Sequence, residues 1–305
     1  MTAGGAEVIS SGALANEITL SGGKAHVSSG GTADRTTISA GGLQYVDVGG
    51  VVKETTILSG GVEFMYGVAF GDTVSNGGSE TISSGGTALG LTVRSGGLLV
   101  DDGEVRIGGA GTLDGTLSGS GAVIQTEAGD LVLGGAGGAF RGKAAISGGT
   151  IELATAGALG AGYVQFVEPS TGSAVLQIDA ADAPAAGGTF ANVISNFSGA
   201  GEDIDLRSIA FVAGASATVS GGVLVLTDGG KTYKFKLAGG IAGLYPVLSD
   251  GHGGTLIDPT VAAFVQTAAA FAPSGAAKTA PVSATSPTDH TPFLHATASA
   301  MAARF

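Results

Sequence analysis

The chain has 305 residues, of which 57 are glycine and 12% are charged, with no cysteine. Ordinary soluble domains have about 7% glycine and about 25% charged residues, so this composition does not suit a conventional compact domain. The hydrophobic fraction of 44% argues against wholesale disorder. The net charge of −12 and the scattered positions of the 13 Lys and Arg residues argue against nucleic acid as a partner, because phosphate binding needs clustered basic side chains.

Glycine doublets recur along the first third of the chain. They begin at residues 22, 30, 41, 49 and 60, in steps of 8, 11, 8 and 11, so the repeating unit has 19 residues. The next doublet begins at residue 77, after a step of 17, and others follow at 85 and 96. The short segments between doublets, such as Leu43 to Val46 and Thr55 to Leu58, are rich in apolar and β-branched residues. This pattern predicts short strands stacked as coils, with glycine corners at positive φ.

The repeats from Ser28 to Gly61 resemble the strand-loop-strand repeats of AIDA-type autotransporter adhesin passengers, and the resemblance covers about residues 1–97. Residues 129–166 are similar to the autotransporter-associated β-strand repeat. The resemblance implies an all-β, right-handed parallel β-solenoid (β-helix) on the outer surface of a Gram-negative bacterium or secreted from it. It also implies hydroxyl acceptors for O-linked heptose, and the repeats offer Ser28, Ser29, Thr36, Thr37, Thr55, Thr56, Ser83 and Ser84. Turn chemistry and outward ladder positions are the simpler interpretation of the same hydroxyls.

Composition divides the chain into three predicted regions. Residues 1–166 form the solenoid, residues 167–258 form a β-rich capping and secretion-associated region, and residues 259–305 form a tail rich in Ala, Thr and Pro. Residues 223–237 predict a hairpin whose turn is Asp228-Gly229-Gly230. In the tail we expect a short amphipathic helix over 261–272 and disorder over 276–292. We expect the tail to act either as a signal for one-step secretion or as a linker.

The sequence shows no recognisable secretion signal and no transmembrane segment. Residues 1–10 have neither the basic nor the apolar region of a secretion signal. No run of about 18 apolar residues predicts a transmembrane segment. We therefore expect the chain to depend on export machinery that the sequence does not identify.

Three groups of residues carry side chains suited to chemistry, but their spacing does not by itself predict a catalytic or metal site. Asp101, Asp102 and Glu104 are close together in sequence. A solvent-exposed turn is the favoured interpretation of these residues, and a glycosidase-like carboxylate pair is the alternative. Glu202, Asp203 and Asp205 offer oxygen ligands for calcium but lack the calcium-roll motif. The histidines have no metal-ligand spacing; they are His26, His252, His290 and His295.

The sequence therefore predicts an adhesin-like structural repeat protein rather than an enzyme, with no cofactor, and leaves calcium binding by Glu202, Asp203 and Asp205 open. Its expected partners are surface or matrix glycans and proteins, or other copies of itself, and its expected role is attachment or autoaggregation. Two alternatives remain: a polysaccharide-acting β-helix enzyme and a passive surface spacer or matrix protein. The absence of Trp and the low number of Tyr, 5 in all, argue against sugar-binding platforms.

Overall fold

The computed structural model describes residues 4–167 and 172–259, and every helix or strand assigned there is a β-strand. These residues lie in one compact unit that spans residues 1–270. No helix in the described ranges is long and apolar enough to cross a membrane. The helix predicted over 261–272 and the disorder predicted over 276–292 lie outside the described residues.

The first face of the molecule, sheet A, has one short strand from each of eight coils, and all neighbours in it are parallel. With strands numbered in chain order, its members are β1 (Ala6–Ile9), β4 (Lys24–Val27), β7 (Leu43–Val46), β10 (Val62–Met65), β13 (Ser79–Ile82), β16 (Leu98–Asp101), β19 (Thr116–Gly119) and β22 (Ala139–Phe140).

The second face, sheet B, has 14 strands and runs the length of the described chain. Its parallel part comprises β2 (Leu14–Asn16), β5 (Thr32–Asp34), β8 (Val51–Lys53), β11 (Val68–Phe70), β14 (Thr87–Leu89), β17 (Glu104–Ile107), β20 (Ala122–Gln125), β23 (Lys143–Ile146), β25 (Tyr163–Phe166), β27 (Thr189–Ser195) and β31 (Lys231–Ala238). An antiparallel extension completes it with β30 (Val223–Asp228), β29 (Ser216–Ser220) and β32 (Gly243–Tyr245).

The third face is divided between two sheets that meet at a bridge from Val93 to Leu113. Sheet C contains β3 (Thr19–Ser21), β6 (Thr37–Ser39), β9 (Thr56–Ile57), β12 (Thr73–Val74) and β15 (Thr92–Val93). Sheet D contains β18 (Gly111–Thr112), β21 (Asp130–Leu133), β24 (Gly149–Leu153), β26 (Ala174–Ile178), β28 (Glu202–Leu206), β34 (Thr255–Ile257) and β33 (Val247–Ser249).

The predicted 19-residue repeat is confirmed as one coil of a parallel β-solenoid. Leu43 pairs with Val62, 19 residues later, and Val62 pairs with Ser79, 17 residues later. The shorter step occurs where Tyr66 and Gly67 alone connect β10 to β11, in place of a four-residue corner. Two residues are therefore removed at a corner, so the strands on either side keep their register.

The core is a set of short apolar columns, because stacked coils put equivalent side chains above one another. One column on sheet A runs through Val27, Val46, Met65 and Ile82, and each is 0% exposed. Matching columns lie inside the other two faces, so all three faces contribute to one continuous core.

Each predicted glycine corner turns at the first glycine of its doublet. These residues have positive φ, as the repeat predicted: Gly22, Gly30, Gly41, Gly49, Gly60, Gly77, Gly85 and Gly96. The second glycine has a different constraint. A Cβ on Gly31 would lie 2.3 Å from the carbonyl oxygen of Ile9 in the coil below, so the coils pack too closely there for any side chain.

The parallel ladders continue past residue 166, where the sequence suggested a boundary. β26 and β28 extend sheet D in parallel, and β27 and β31 extend sheet B in the same way. Antiparallel strands then follow, including the predicted hairpin formed by β30 and β31. Gly229 and Gly230 make its turn, with φ of 55° and 76°, which is the backbone geometry that favours twisted two-residue hairpins.

Candidate functional site

A column of ring side chains lies on the outer surface of sheet A. His26, Tyr45 and Phe64 occupy equivalent positions on β4, β7 and β10. The ring centroids of His26 and Tyr45 are 4.7 Å apart, and those of Tyr45 and Phe64 are 5.1 Å apart. These distances follow from the spacing of about 4.8 Å between paired strands. The coil register therefore builds a stack of rings on the surface.

A second outward column of sheet A lies two residues earlier on each strand. It places Leu43 beside Tyr45 and Val62 beside Phe64, and it continues through Ser79 to Leu98 two coils further on. Leu98 is 37% exposed. We call the outer surface formed by Leu43, Tyr45, Val62, Phe64 and Leu98 the ring face. Its in-register apolar side chains offer the same contact several times over.

Sheet C carries a ladder of threonines on its outer surface. Each member pairs with its equivalent on the next coil, and the series is Thr19, Thr37, Thr56, Thr73 and Thr92. The residue after each points inward, as Ile38 and Ile57 show with 0% exposure. The ladder therefore presents one hydroxyl per coil along the third face.

The structure separates the eight predicted hydroxyl acceptors into accessible and inaccessible residues. Ser29 and Ser84 are exposed at the corner between sheets A and B, and Ser28 and Ser83 beside them are half-buried. Thr37 and Thr56 are half-buried members of the outer ladder.

Thr36 and Thr55 require a correction, because their side chains face the interior. They are 1% and 0% exposed, so their hydroxyls are not acceptors in the folded chain. Neighbouring residues in an extended segment point in opposite directions, and each Thr-Thr pair therefore has one residue inside and one outside.

The carboxylates at 101, 102 and 104 differ in burial and each has a partner of its own. Asp101 is 0% exposed, and its Oδ1 accepts a hydrogen bond of 3.0 Å from the Gly103 amide. Asp102 is exposed and accepts bonds of 2.8 Å from the amide and the hydroxyl of Ser120. Glu104 forms an ion pair of 2.6 Å with Arg106. All three carboxylates are thus engaged in local structure.

The acidic residues on β28 have separate partners as well. Glu202 accepts hydrogen bonds of 2.7 Å from the amides of Ser198 and Gly199. Asp205 forms an ion pair of 3.2 Å with Arg207. These two carboxylates are engaged in local structure, and with Asp203 they do not form a group whose ligand atoms converge.

The two histidines in the described ranges serve local structure. His26 stacks on Tyr45, and the amide of His252 donates a hydrogen bond of 2.7 Å to Asp250. His290 and His295 lie outside the described residues.

An interior cluster of carboxylates was missed at the level of sequence. Gln44, Glu63 and Glu80 occupy equivalent positions on β7, β10 and β13, and all three are 0% exposed. Asp72, at 1% exposure, joins them from the corner before β12. Alternation was the available signal: each residue of the column lies two before Val46, Met65 or Ile82, and so shares their inward direction.

Burial dominates the electrostatics of this cluster. It raises the pKa of Glu63 and of Glu80 well above the ordinary range, and it raises the pKa of Asp72 to about 7. The negative charge of Asp72 raises the pKa of both glutamates further. The negative charge of the cluster must therefore be neutralised, either by protons on the carboxylates or by a bound cation.

No protein-family model matches the chain, and no curated protein matches it. Among solved structures, the chain is similar to the crystal structure of a TibC-catalysed, hyper-glycosylated TibA fragment. The sequences are 26% identical over 68% of this chain and 78% of that one, with a TM-score of 0.34. A TM-score this low supports no argument about function. The strand pairing described above establishes the fold independently of this likeness.

Proposed function

We propose that this chain is an adhesin-like structural protein of the AIDA type, secreted by a Gram-negative bacterium or held on its outer surface, and that it mediates attachment or autoaggregation. The ring face is the observation that carries the proposal. Its aromatic and aliphatic side chains lie in register on the successive strands β7 and β10, with Leu98 two coils further on, and they are partly exposed at the surface. A single coil presents only a small contact, and repetition supplies the strength through avidity.

The same surface guides the choice of partners. Rings stacked nearly in parallel, within 15° for both pairs, form a flat apolar strip. Because the stacked rings face one another, the strip presents their edges, which suit apolar patches on surface or matrix proteins and glycans, or the equivalent strip of another copy. The hydroxyls of Ser29, Ser84, Thr37 and Thr56 extend this proposal to O-linked sugar, since they are the accessible members of the predicted acceptor set.

A non-enzymatic role is part of the proposal. The strongest carboxylate candidates from the sequence are engaged in local structure, because Asp101 is buried, Asp102 bonds to Ser120 and Glu104 pairs with Arg106. The proposal would fail if these side chains were needed for the biological effect.

Deletion of the gene in its host, followed by measurement of attachment and cell–cell aggregation, tests the proposal. We expect both to fall and to recover with the intact chain. A variant with Asp101→Asn, Asp102→Ala and Glu104→Ala should restore them equally well. Unchanged attachment and aggregation after deletion would contradict the adhesin assignment and favour the spacer, whereas failure of the triple variant alone would favour the enzyme.

A further inference from the structure

Three buried carboxylates meet inside the solenoid between two successive coils. Glu63 and Glu80 are direct neighbours in the ladder, and Asp72 approaches them from the start of the third face. One carboxylate oxygen from each lies within 4.8 Å of the other two. Calcium binds oxygen at 2.3–2.6 Å, so ligands on opposite sides of the ion are about 4.6–5.2 Å apart. Three oxygens placed evenly around one ion at these distances are about 4.0–4.5 Å apart, so the three side chains would have to close in by only a few tenths of an ångström to contact one calcium ion.

The cluster has more acceptors than donors. Of its six carboxylate oxygens, two accept hydrogen bonds, from Gln44 Nε2 to Glu63 Oε1 at 3.0 Å and from the Thr55 amide to Asp72 Oδ1 at 2.9 Å. The other four are buried without a well-aligned donor: Glu63 Oε2, Asp72 Oδ2, Glu80 Oε1 and Glu80 Oε2. The Asp72 carboxyl lies near the Glu63 carboxyl and the Thr55 hydroxyl, whereas Glu80 has no such neighbour. The amide oxygen of Gln44 is buried without a partner too. Unpaired buried oxygens of this kind are costly, and a cation would satisfy them together.

No basic side chain neutralises these acids in the part of the chain that the structure describes. The ion pairs there involve Arg35, Arg106 and Arg207, and none reaches the cluster. The same inward column holds Ala25 below the cluster and Leu99 above it. Apolar residues thus fill this space elsewhere in the solenoid, so the interior does not need acids merely to be packed.

We propose that Glu63, Asp72 and Glu80 bind one calcium ion inside the solenoid, with Gln44 orienting Glu63 through its hydrogen bond. Oxygen-only ligands are the donors that calcium prefers. The ion would join the coil of β10 to the coil of β13 and sheet A to the third face. It would act as an internal staple in a protein with no cysteine.

Thermal unfolding of the full chain, with bound metal first removed by a chelator, provides the first test. At pH 8 we expect calcium at a hundred times its dissociation constant to raise the Tm by about 5–10 °C. Equilibrium dialysis with elemental analysis should give one calcium per chain. At pH 5 the rise should shrink, because protons compete for Glu63, Asp72 and Glu80, with Asp101 as the next acid along the interior.

Two substitutions separate binding from folding. Glu80→Gln should abolish the calcium-dependent rise in Tm, while Glu127→Gln, the same change at an exposed position, should leave it intact. Glu80→Leu copies the residue found at Leu99 in the next coil. It should fold and melt at the same temperature with and without calcium.

The contrary results are distinct. If no calcium binds and the Tm does not change with calcium at pH 8, the cluster holds protons only and the proposal is wrong. A calcium effect that survives in Glu80→Gln would place the ion elsewhere and would overturn the assignment. A response to magnesium but not to calcium would do the same. None of these results bears on attachment, so the proposed function is tested separately.

Discussion

Two neighbouring glycines at each corner have different reasons to lack a side chain. Gly49 needs its φ of 81°, whereas Gly50 has no room, since a Cβ there would lie 2.4 Å from the carbonyl oxygen of Val27. The first constraint costs about 1–2 kcal/mol when glycine is replaced by alanine. The second requires movement of a backbone that is already paired on both sides.

Gly50→Ala should therefore lower the free energy of unfolding by about 2 kcal/mol or more, because the new methyl group displaces a coil. Gly138→Ala is the matched control, since a Cβ at that position meets nothing within 4 Å. It should change stability by less than about 0.5 kcal/mol. Urea unfolding followed by circular dichroism measures both, and equal losses in the two variants would contradict the packing argument.

Asp101 makes stability depend on pH. Burial raises the pKa of Asp101 to about 7, whereas a free aspartate has a pKa of about 3.9. The folded state thus holds the proton more tightly than the unfolded state. Its stabilising effect is complete below about pH 4 and is lost as the pH rises through about 7.

Asp101→Asn removes this dependence while keeping an oxygen to accept the Gly103 amide. In calcium-free buffer we expect the wild-type chain to lose more stability than the variant between pH 4 and 8, by a difference on the order of 2 kcal/mol. Chemical unfolding across this pH range gives the comparison. Parallel curves for the two proteins would show that Asp101 titrates normally.

Among the elements, the hairpin of β30 and β31 shows how an alternating pattern directs packing. Tyr233, Phe235 and Leu237 are buried, and Lys234 and Lys236 between them are exposed. Phe235 packs against Phe190 of β27, with ring centroids 5.8 Å apart. The hairpin is therefore held to the last parallel strands by aromatic contact as well as by hydrogen bonds.

Phe235→Ala should destabilise the chain by about 3–5 kcal/mol, because it removes a fully buried ring and leaves a cavity. Lys236→Ala, on the opposite side of the same strand, should cost less than about 0.5 kcal/mol. Thermal unfolding of the two variants tests the prediction. A similar Tm for both would mean that the hairpin does not pack on the solenoid as described.

Sequence periodicity predicted the strands and corners well, but it did not predict which side chains meet in the interior. The glycine doublets gave the coil length and the corners, because both depend on local backbone geometry. The hairpin followed from Asp228-Gly229-Gly230 for the same reason. The inner position of Thr36 and the convergence of Glu63, Asp72 and Glu80 depend on which way each strand faces in a three-sided coil. Stacking between coils sets the direction in which each strand faces, and the spacing of the glycines does not reveal that direction.

At the scale of the whole molecule, the solenoid would end in open ladder edges without its last strands. β31 pairs with β27, and β34 pairs with β28, so sheets B and D both receive a covering strand. The strand that follows each of these pairings is antiparallel, which interrupts the parallel stack. This arrangement limits the pairing of exposed strand edges with other chains.

A chain truncated after Leu206 should expose the edges of β27 and β28 and associate into larger species. Light scattering coupled to size-exclusion chromatography detects this change. The full chain run under the same conditions is the reference. A truncated chain with the same association state as the full chain would show that the antiparallel strands do not protect these edges.

Beads coated with the purified chain test whether the ring face mediates attachment. We expect Tyr45→Ser with Phe64→Ser to reduce bead aggregation and attachment to cells at least tenfold, while circular dichroism shows the fold retained. The control, Thr73→Ala with Thr92→Ala on the third face, should behave as the wild type. Full attachment by the Tyr45 and Phe64 variant would show that the ring face does not mediate attachment.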